Sequence, residues 1–229
     1  MKAPFDVEFF KNQLRTTWIG SEFIHINKVN STNSWLKTIP SEEFIHGTVV
    51  NADNQVKGRG QYERNWQAEP GKNLTFTIGL RPPGSDRLTL LTMATALGIA
   101  TVLERYIDKK VAIKWPNDVM IEGKKVGGIL TECIFYGQKP DRVLIGIGLN
   151  IAESTFNDEL SESAISLKDV CAVEIKKEIL LGEILSSIEL NYQKWHKHDF
   201  KLHQDISQKL IGYGKWVQLS IGGEIKEGT

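Results

Sequence analysis

"VAIKWPNDVMIEGKKVGGILTECIFYGQKPDRVLIGIGLNI", residues 111–151, decides the fold. VAIKW, DVMI, VGGILTECIF and RVLIGIGLNI are runs fit for strands, and they follow one another in quick succession across turns such as EGKK. Parallel neighbours need a crossover of about a dozen residues or more, so this spacing favours hairpins and a mostly antiparallel sheet over a doubly wound one. Working outward, FIHINKVN (23–30) alternates as a strand and runs into STNSWLKTI, where Ser31, Thr32 or Asn33 can cap a helix. GTVVNAD (47–53) and NLTFTIGL (73–80) read as two further strands, the second closed by the breakers RPPGSD. From Leu88 to Ile107 apolar residues recur at helical spacing, which predicts a long core helix ending near Asp108. A second amphipathic helix is predicted from Val173 to Trp195, with Ile175, Ile179, Leu180, Ile184, Leu185 and Ile188 on one side. Strands and helices are segregated along the chain, so the class is α+β: a mixed, mainly antiparallel sheet flanked by helices. The tail WVQLSIGGEIKEGT reads as a strand, a Gly-Gly turn and the start of another strand, too little to bury a core alone. Residues 1–211 are therefore taken as one domain, and 212–229 as the incomplete start of a small β module.

A chain of 229 residues can bury roughly 70% of the surface its unfolded form exposes, enough for one substantial core. Its 28 Lys plus Arg balance 28 Asp plus Glu, which argues against a broad phosphate-backbone footprint. No DNA partner is expected, and any anion site must be local. Cys133 and Cys171 stand in no ligand spacing and read as ordinary thiols of a reducing compartment, which points to the cytoplasm. The N-terminus carries acids where a signal peptide has an apolar run. The longest uncharged stretch, Leu88 to Leu103, falls short of the roughly 20 apolar residues of a membrane span. No membrane partner is expected either. Oligomeric state is left open, a homodimer included.

QVKGRGQYERNW, residues 55–66, gathers two glycines, three cations and a tryptophan. Gly58 and Gly60 let backbone approach a ligand closely, and the forked guanidinium groups of Arg59 and Arg64 match carboxylate or phosphate oxygens. Taken alone, the loop reads more readily as a solvated surface turn. In VAIKWPNDV an extended strand puts Val111, Ile113 and Trp115 on one face and Lys114 on the other, and Pro116 interrupts pairing just after the lysine. That presents an amine at a strand end, or simply an exposed lysine beside a Pro-Asn-Asp turn. Gly127, Gly128, Gly146 and Gly148 remove side chains from two neighbouring strands, as a floor for a flat ligand or as points of bending. There is no Walker loop, no dinucleotide fingerprint, and no nucleophile signature. His196, His198 and His203 lack matching ligands, so no metal site is assigned. Two arginines, a presented lysine and bare strands without a nucleophile suit an enzyme that lets a substrate carboxylate attack ATP, where protein need only position and neutralise.

STNSWL, GRGQYERNW, KWPNDV, KVGGIL and GIGLN, in that order, resemble the biotin protein ligases. The resemblance implies a catalytic domain like that of class II aminoacyl-tRNA synthetases, followed by a small SH3-like β module. It implies a ligase that uses ATP, Mg²⁺ and biotin to form biotinyl-5′-adenylate and then biotinylates a lysine of the biotin carboxyl carrier protein of acetyl-CoA carboxylase. By the same resemblance Ser31, Thr32 and Asn33 meet the biotin ring system, with Gln55 as a further biotin contact. Arg59, Gly60 and Gln61 belong to the loop that folds over biotin and its adenylate, and Trp66 helps close it. Lys114 bridges the biotin carboxylate and α-phosphate, which makes Lys114 and Arg59 the catalytic pair. Gly128 lies by the biotin groove, and Arg64, Asn117 and Asn150 lie near the nucleotide. Glu63 and Gln61 depart from the family loop. About 22 residues precede the first strand, too few for the winged-helix repressor domain of some relatives, so repression is not expected. The rival readings are a lipoate or octanoate ligase, and a biotin-binding protein without turnover.

Overall fold

The computed structural model describes all residues except 1–3, 85, 154, 155, 157–161, 222, 223 and 229, and the side chains of 63, 217 and 219–221. Seven strands form one sheet: β1 (Phe23–Ile26), β2 (Val49–Ala52), β3 (Leu74–Leu80), β4 (Val111–Lys114), β5 (Asp118–Ile121), β6 (Lys124–Tyr136) and β7 (Lys139–Leu149). Their order is β1-β2-β3-β7-β6-β5-β4. Every neighbouring pair is antiparallel except β1 and β2, whose connection carries the short helix α2 (Thr32–Leu36). The sheet is thus mixed and mainly antiparallel, with residues 111–149 forming the expected succession of hairpins. A bulge between Val119 and Met120 interrupts the β5–β6 register.

Strand alternation assigns the two faces. Phe76, Ile78, Ile145, Ile147 and Leu149 enter the main core, where α3 (Leu88–Leu103) and α4 (Lys177–His196) cover the sheet. Thr75, Thr77, Gly146 and Gly148 fall between them and face the other way. There α2 and a smaller cluster of Leu36, Phe44, Val50 and Leu144 cover only part of the surface. Cross-strand register then builds two rows on the open face, Thr77–Gly146–Leu130 and Thr75–Gly148–Gly128.

Several boundaries differ from the sequence reading. The first strand stops at Ile26, and Val29 instead bridges Gln55. α3 ends at Leu103 rather than Ile107, where the apolar run gives way to Glu104 and Arg105. α4 starts at Lys177, since Val173 lies 64% exposed and has no core to face. Two helices were not anticipated. α1 (Val7–Gln13) is capped by Asp6, which accepts from Phe9 N at 2.9 Å, and it buries Phe10. α5 (Phe200–Lys209) is capped by Asp199 and buries Leu202 and Ile206. Beyond α5, Leu210 bridges Ile113 in parallel and Ile211 N donates to Ile113 O at 2.9 Å, lining the outer edge of β4. β8 (Val217–Ile221) and β9 (Glu224–Gly228) make a separate two-stranded sheet. The Gly-Gly turn expected between them lies outside the described residues. None of the described helices is long and apolar enough to cross a membrane.

Candidate active site

A cavity of about 430 Å³ opens on the sheet face that α3 and α4 leave free. Ser31, Thr32, Asn33, Gln55, Arg59, Gly60, Gln61, Arg64, Trp66, Lys114, Asn117, Gly128 and Asn150 all line it. Segments far apart in sequence are therefore joined by one hollow.

At one end Ser31 is extended and starts α2, with Ser31, Thr32 and Asn33 all buried. Thr32 donates to Gln55 Oε1 twice, from its amide at 2.7 Å and its hydroxyl at 3.0 Å. Gln55 is so oriented that its amide nitrogen keeps no protein partner among the described residues, and neither does the Ser31 hydroxyl. Asn33 is differently employed. Its Oδ1 lies 2.6 Å from the Thr77 hydroxyl, which also sits 2.7 Å from the Thr32 hydroxyl, and its Nδ2 donates to Glu132 Oε2 at 2.8 Å. Both ends of the Asn33 amide are spent inside the protein. Thr77 and Glu132 escaped the sequence reading, although a Thr alternating with Phe76 and Ile78, and a Glu inside an apolar strand, were visible signals.

The Gly58–Trp66 segment closes on itself as a small hairpin. Trp66 N donates to Gly58 O at 3.0 Å, Gly60 N donates to Arg64 O at 2.7 Å, and Arg59 bridges Asn65. A Cβ at Gly58 would stand 2.4 Å from Trp66 O, so the close approach demands glycine. Tyr62 turns the tip in the left-handed region at φ 53°. Arg59 does not point free into the cavity: its Nη2 donates to Glu132 Oε2 at 2.8 Å. The Glu63 side chain lies outside the described residues.

The four strand glycines serve different ends. A Cβ at Gly127 would meet Leu149 on the core side at 2.4 Å. On the open face, a Cβ at Gly146 would come within 2.4 Å of Asn33 Oδ1, and one at Gly148 within 2.3 Å of the Trp66 indole. Protein side chains thus occupy two positions expected to form a bare floor. The Trp66 Nε1–H is buried with no partner among the described residues. Gly128 remains on the wall, beside Lys125 and the edge of Trp66.

Cations dominate the other end. Lys114 stands exposed at the end of β4, and its ammonium makes no ion pair or hydrogen bond among the described residues. Trp115, expected on the aliphatic face, is 62% exposed because the strand has already ended. Lys125, which the sequence reading passed over although it stands just before Val-Gly-Gly, also lines the cavity. Its Nζ lies 2.7 Å from Asp118 Oδ1 and 5.8 Å from the Trp66 ring centre. Lys114, Lys125, Arg59 and Arg64 face a single carboxylate, Asp118, among the described lining residues. The wall is thus positive and suited to anions. Asn117 and Asn150 hold backbone: Asn117 Nδ2 donates to Ile129 O at 2.9 Å, and Asn150 Nδ2 to Ile165 O at 3.3 Å.

Beneath the loop Glu132 gathers three donors, since Lys37 Nζ also reaches its Oε1 at 2.7 Å. Burial pushes this carboxyl up, but hydrogen bonds from Lys37 and Asn33 and the charges of Lys37 and Arg59 outweigh it and hold the group below the usual range. The described residues contain no cluster of three His, Cys, Asp or Glu able to hold a metal. With Asp118 already paired to Lys125, this donor set does not fit a protein-held Mg²⁺.

Residues 26–150 match the model of the biotin/lipoate A/B protein ligase family. The bifunctional ligase/repressor BirA of Bacillus subtilis is 32% identical over 190 residues, 82% of this chain and 58% of the relative. The chain thus spans under two thirds of that relative's length. The biotin–[acetyl-CoA-carboxylase] ligase of Mycobacterium tuberculosis is 25% identical over 97% of this chain and 84% of its own. Among solved structures, the biotin protein ligase from Aquifex aeolicus in complex with biotin and ATP superposes with a TM-score of 0.80 at 28% identity, covering 91% of this chain and 86% of that one.

Proposed function

Since the chain belongs to the biotin/lipoate A/B protein ligase family, we propose that it is a biotin protein ligase whose cavity couples biotin to ATP and then to a carrier lysine. The observation that carries this reading is the polarity of this cavity, with uncharged donors at the Ser31–Gln55 end, Lys114 and Lys125 on the wall beyond, and Arg59 and Arg64 on the Gly58–Trp66 loop. A cyclic urea offers a carbonyl to the Ser31 hydroxyl and the Gln55 amide. The valerate arm then points its carboxylate toward Lys114, Lys125 and Arg59.

In the first step a biotin carboxylate oxygen attacks the α-phosphorus of ATP, and pyrophosphate leaves with the electron pair of the broken P–O bond. Charge grows on the α-phosphate, where Lys114, Lys125 and Arg59 counter it. Mg²⁺ enters with ATP as the counter-ion of its phosphates, and the residues of this chain perform the positioning. In the second step the neutral amine of a carrier lysine attacks the acyl carbon, AMP departs, and an amide forms. No protein nucleophile is required. Trp66 covers the mixed anhydride against water, with Arg64, Asn117 and Asn150 around the nucleotide. The acceptor is a biotin carboxyl carrier protein of acetyl-CoA carboxylase, the enzyme for which the Mycobacterium relative is named. The reaction belongs in the cytoplasm, where ATP and that carrier meet.

A lipoate or octanoate ligase would share fold and acceptor type, but neither acyl chain offers an acceptor for the donors at the Ser31 end. Mass spectrometry after mixing the protein with MgATP, a purified carrier domain and equal amounts of biotin, lipoate and octanoate is expected to show one added biotinyl group per carrier. Lipoyl or octanoyl addition instead, or binding of biotin without any transfer, would overturn the assignment.

A further inference from the structure

Ser31, Thr32 and Asn33 belong to the start of α2, a helix of five residues whose Ser31 makes no capping hydrogen bond with its side chain. So short a helix does not hold itself, and the orientation of its side chains must come from what it packs on. Beneath it stands Thr77. This residue is fully buried on β3 and lies outside the cavity lining, and its Oγ1 donates to Thr32 Oγ1 at 2.7 Å and to Asn33 Oδ1 at 2.6 Å. Its cross-strand neighbour is Gly146, where a Cβ would come within 2.4 Å of Asn33 Oδ1, so the two strands leave a slot that the asparagine amide fills. We propose that Thr77 is a positioning residue that sets the specificity of this end of the cavity for a cyclic urea, acting through Thr32 and Asn33 without touching the substrate. The role deepens the ligase reading and rests on it.

The hydroxyl protons run in one direction. Asn33 Nδ2 donates to the Glu132 carboxylate, so Asn33 Oδ1 is the end that faces Thr77, and an amide oxygen can only accept. The single Thr77 proton is shared between Asn33 Oδ1 and Thr32 Oγ1 as a three-centre hydrogen bond. Because Thr32 Oγ1 accepts there, its own proton goes to Gln55 Oε1 at 3.0 Å, beside the Thr32 amide that donates to the same oxygen at 2.7 Å. The Gln55 oxygen is thereby turned toward α2, and its amide nitrogen is left as a donor for a ligand carbonyl. Valine in place of Thr77 keeps the shape but strands Asn33 Oδ1 and frees Thr32 to turn. The ureido ring gains no charge in the reaction, so these contacts bind ground state and transition state alike. Loosening them raises KM for biotin and leaves kcat unchanged.

The test is biotin-dependent pyrophosphate exchange with the full chain, reading KM for biotin, KM for MgATP and kcat. Thr77→Val should raise KM for biotin about tenfold, the scale of one lost neutral hydrogen bond, with kcat and KM for MgATP unchanged. Thr77→Ser restores the hydroxyl and should return KM for biotin to the wild-type value. Thr77→Ala should raise it as valine does, which keeps the test open should the valine variant fold poorly. Thr75→Val is the control: Thr75 is buried on the same face of β3 but donates to Ala52 O at 2.8 Å rather than to α2, so its loss should leave KM for biotin unchanged. In an active enzyme, an unchanged KM for biotin in Thr77→Val and Thr77→Ala, an equal rise in Thr75→Val, or a loss confined to kcat would overturn the positioning role alone. A wild type that shows no biotin-dependent exchange would overturn the ligase reading and this role with it.

Discussion

Lys114 and Lys125 face one cavity from different surroundings. The Lys114 ammonium has no protein partner among the described residues, whereas Lys125 neutralises Asp118 at 2.7 Å. Lys114→Ala should therefore leave thermal stability nearly unchanged and slow biotin-dependent pyrophosphate exchange by about 10²-fold or more, the ~3 kcal/mol typical of one preorganised electrostatic donor. Lys125→Met should slow exchange comparably and also lower the melting temperature, because it leaves Asp118 with an unpaired charge. Normal exchange in both variants would remove these ammonium groups from the reaction. At this scale the sequence was informative where motif chemistry is local: the loop arginines, Gln55 and Lys114 all line the hollow. It was silent on Glu132, whose partner Asn33 is 99 residues away, and on Thr77, 44 residues from that same asparagine. A single strand gives no sign of which polar residues on its open face will meet a distant helix.

At the scale of elements, Glu189 does much to fasten α4 to the chain's beginning. Glu189 accepts from Thr17 N and Oγ1, Trp18 N and Ile19 N, at 2.7 to 3.0 Å. Burial pushes its carboxyl up, but these hydrogen bonds outweigh it and hold the group low. Glu189→Gln turns an amide toward backbone N–H groups that need an acceptor, and should cost about 3 kcal/mol of unfolding free energy in urea titration. A loss under about 1 kcal/mol would mean that water replaces the carboxylate freely. The hairpins of residues 111–149 were legible because period-two alternation and short turns are local properties. α1 and α5 were not, since each is a short helix burying only one or two apolar residues, though Asp6 and Asp199 marked their caps. The parallel pairing of β1 with β2 was hidden as well, because strand direction depends on where the intervening α2 packs.

For the whole molecule, ionisation sets the acid limit. Glu132, Glu189, Asp141 and Asp53 are all held below their ordinary values by donors and nearby cations. His46 is lowered too, first by burial and then by the charges of Arg81 and His196. A lowered group binds more protons when unfolded, so its stabilisation is complete above the unfolded value and is lost as pH falls toward the folded one. Urea midpoints should hold above about pH 6.5, decline gently below it as His46 begins to oppose folding, and drop steeply below about pH 4.5 with the carboxylates. A midpoint that rises on acidification would contradict these ionic contacts. Ile211, hydrogen-bonded along β4, has a consequence of another kind. An outermost strand ordinarily offers a row of open amides on which foreign extended chains can template themselves. With that border hemmed at Ile113 by its own backbone, the domain can keep a cationic side chain on its rim, accessible to a visiting protein, without inviting fibrous self-assembly there.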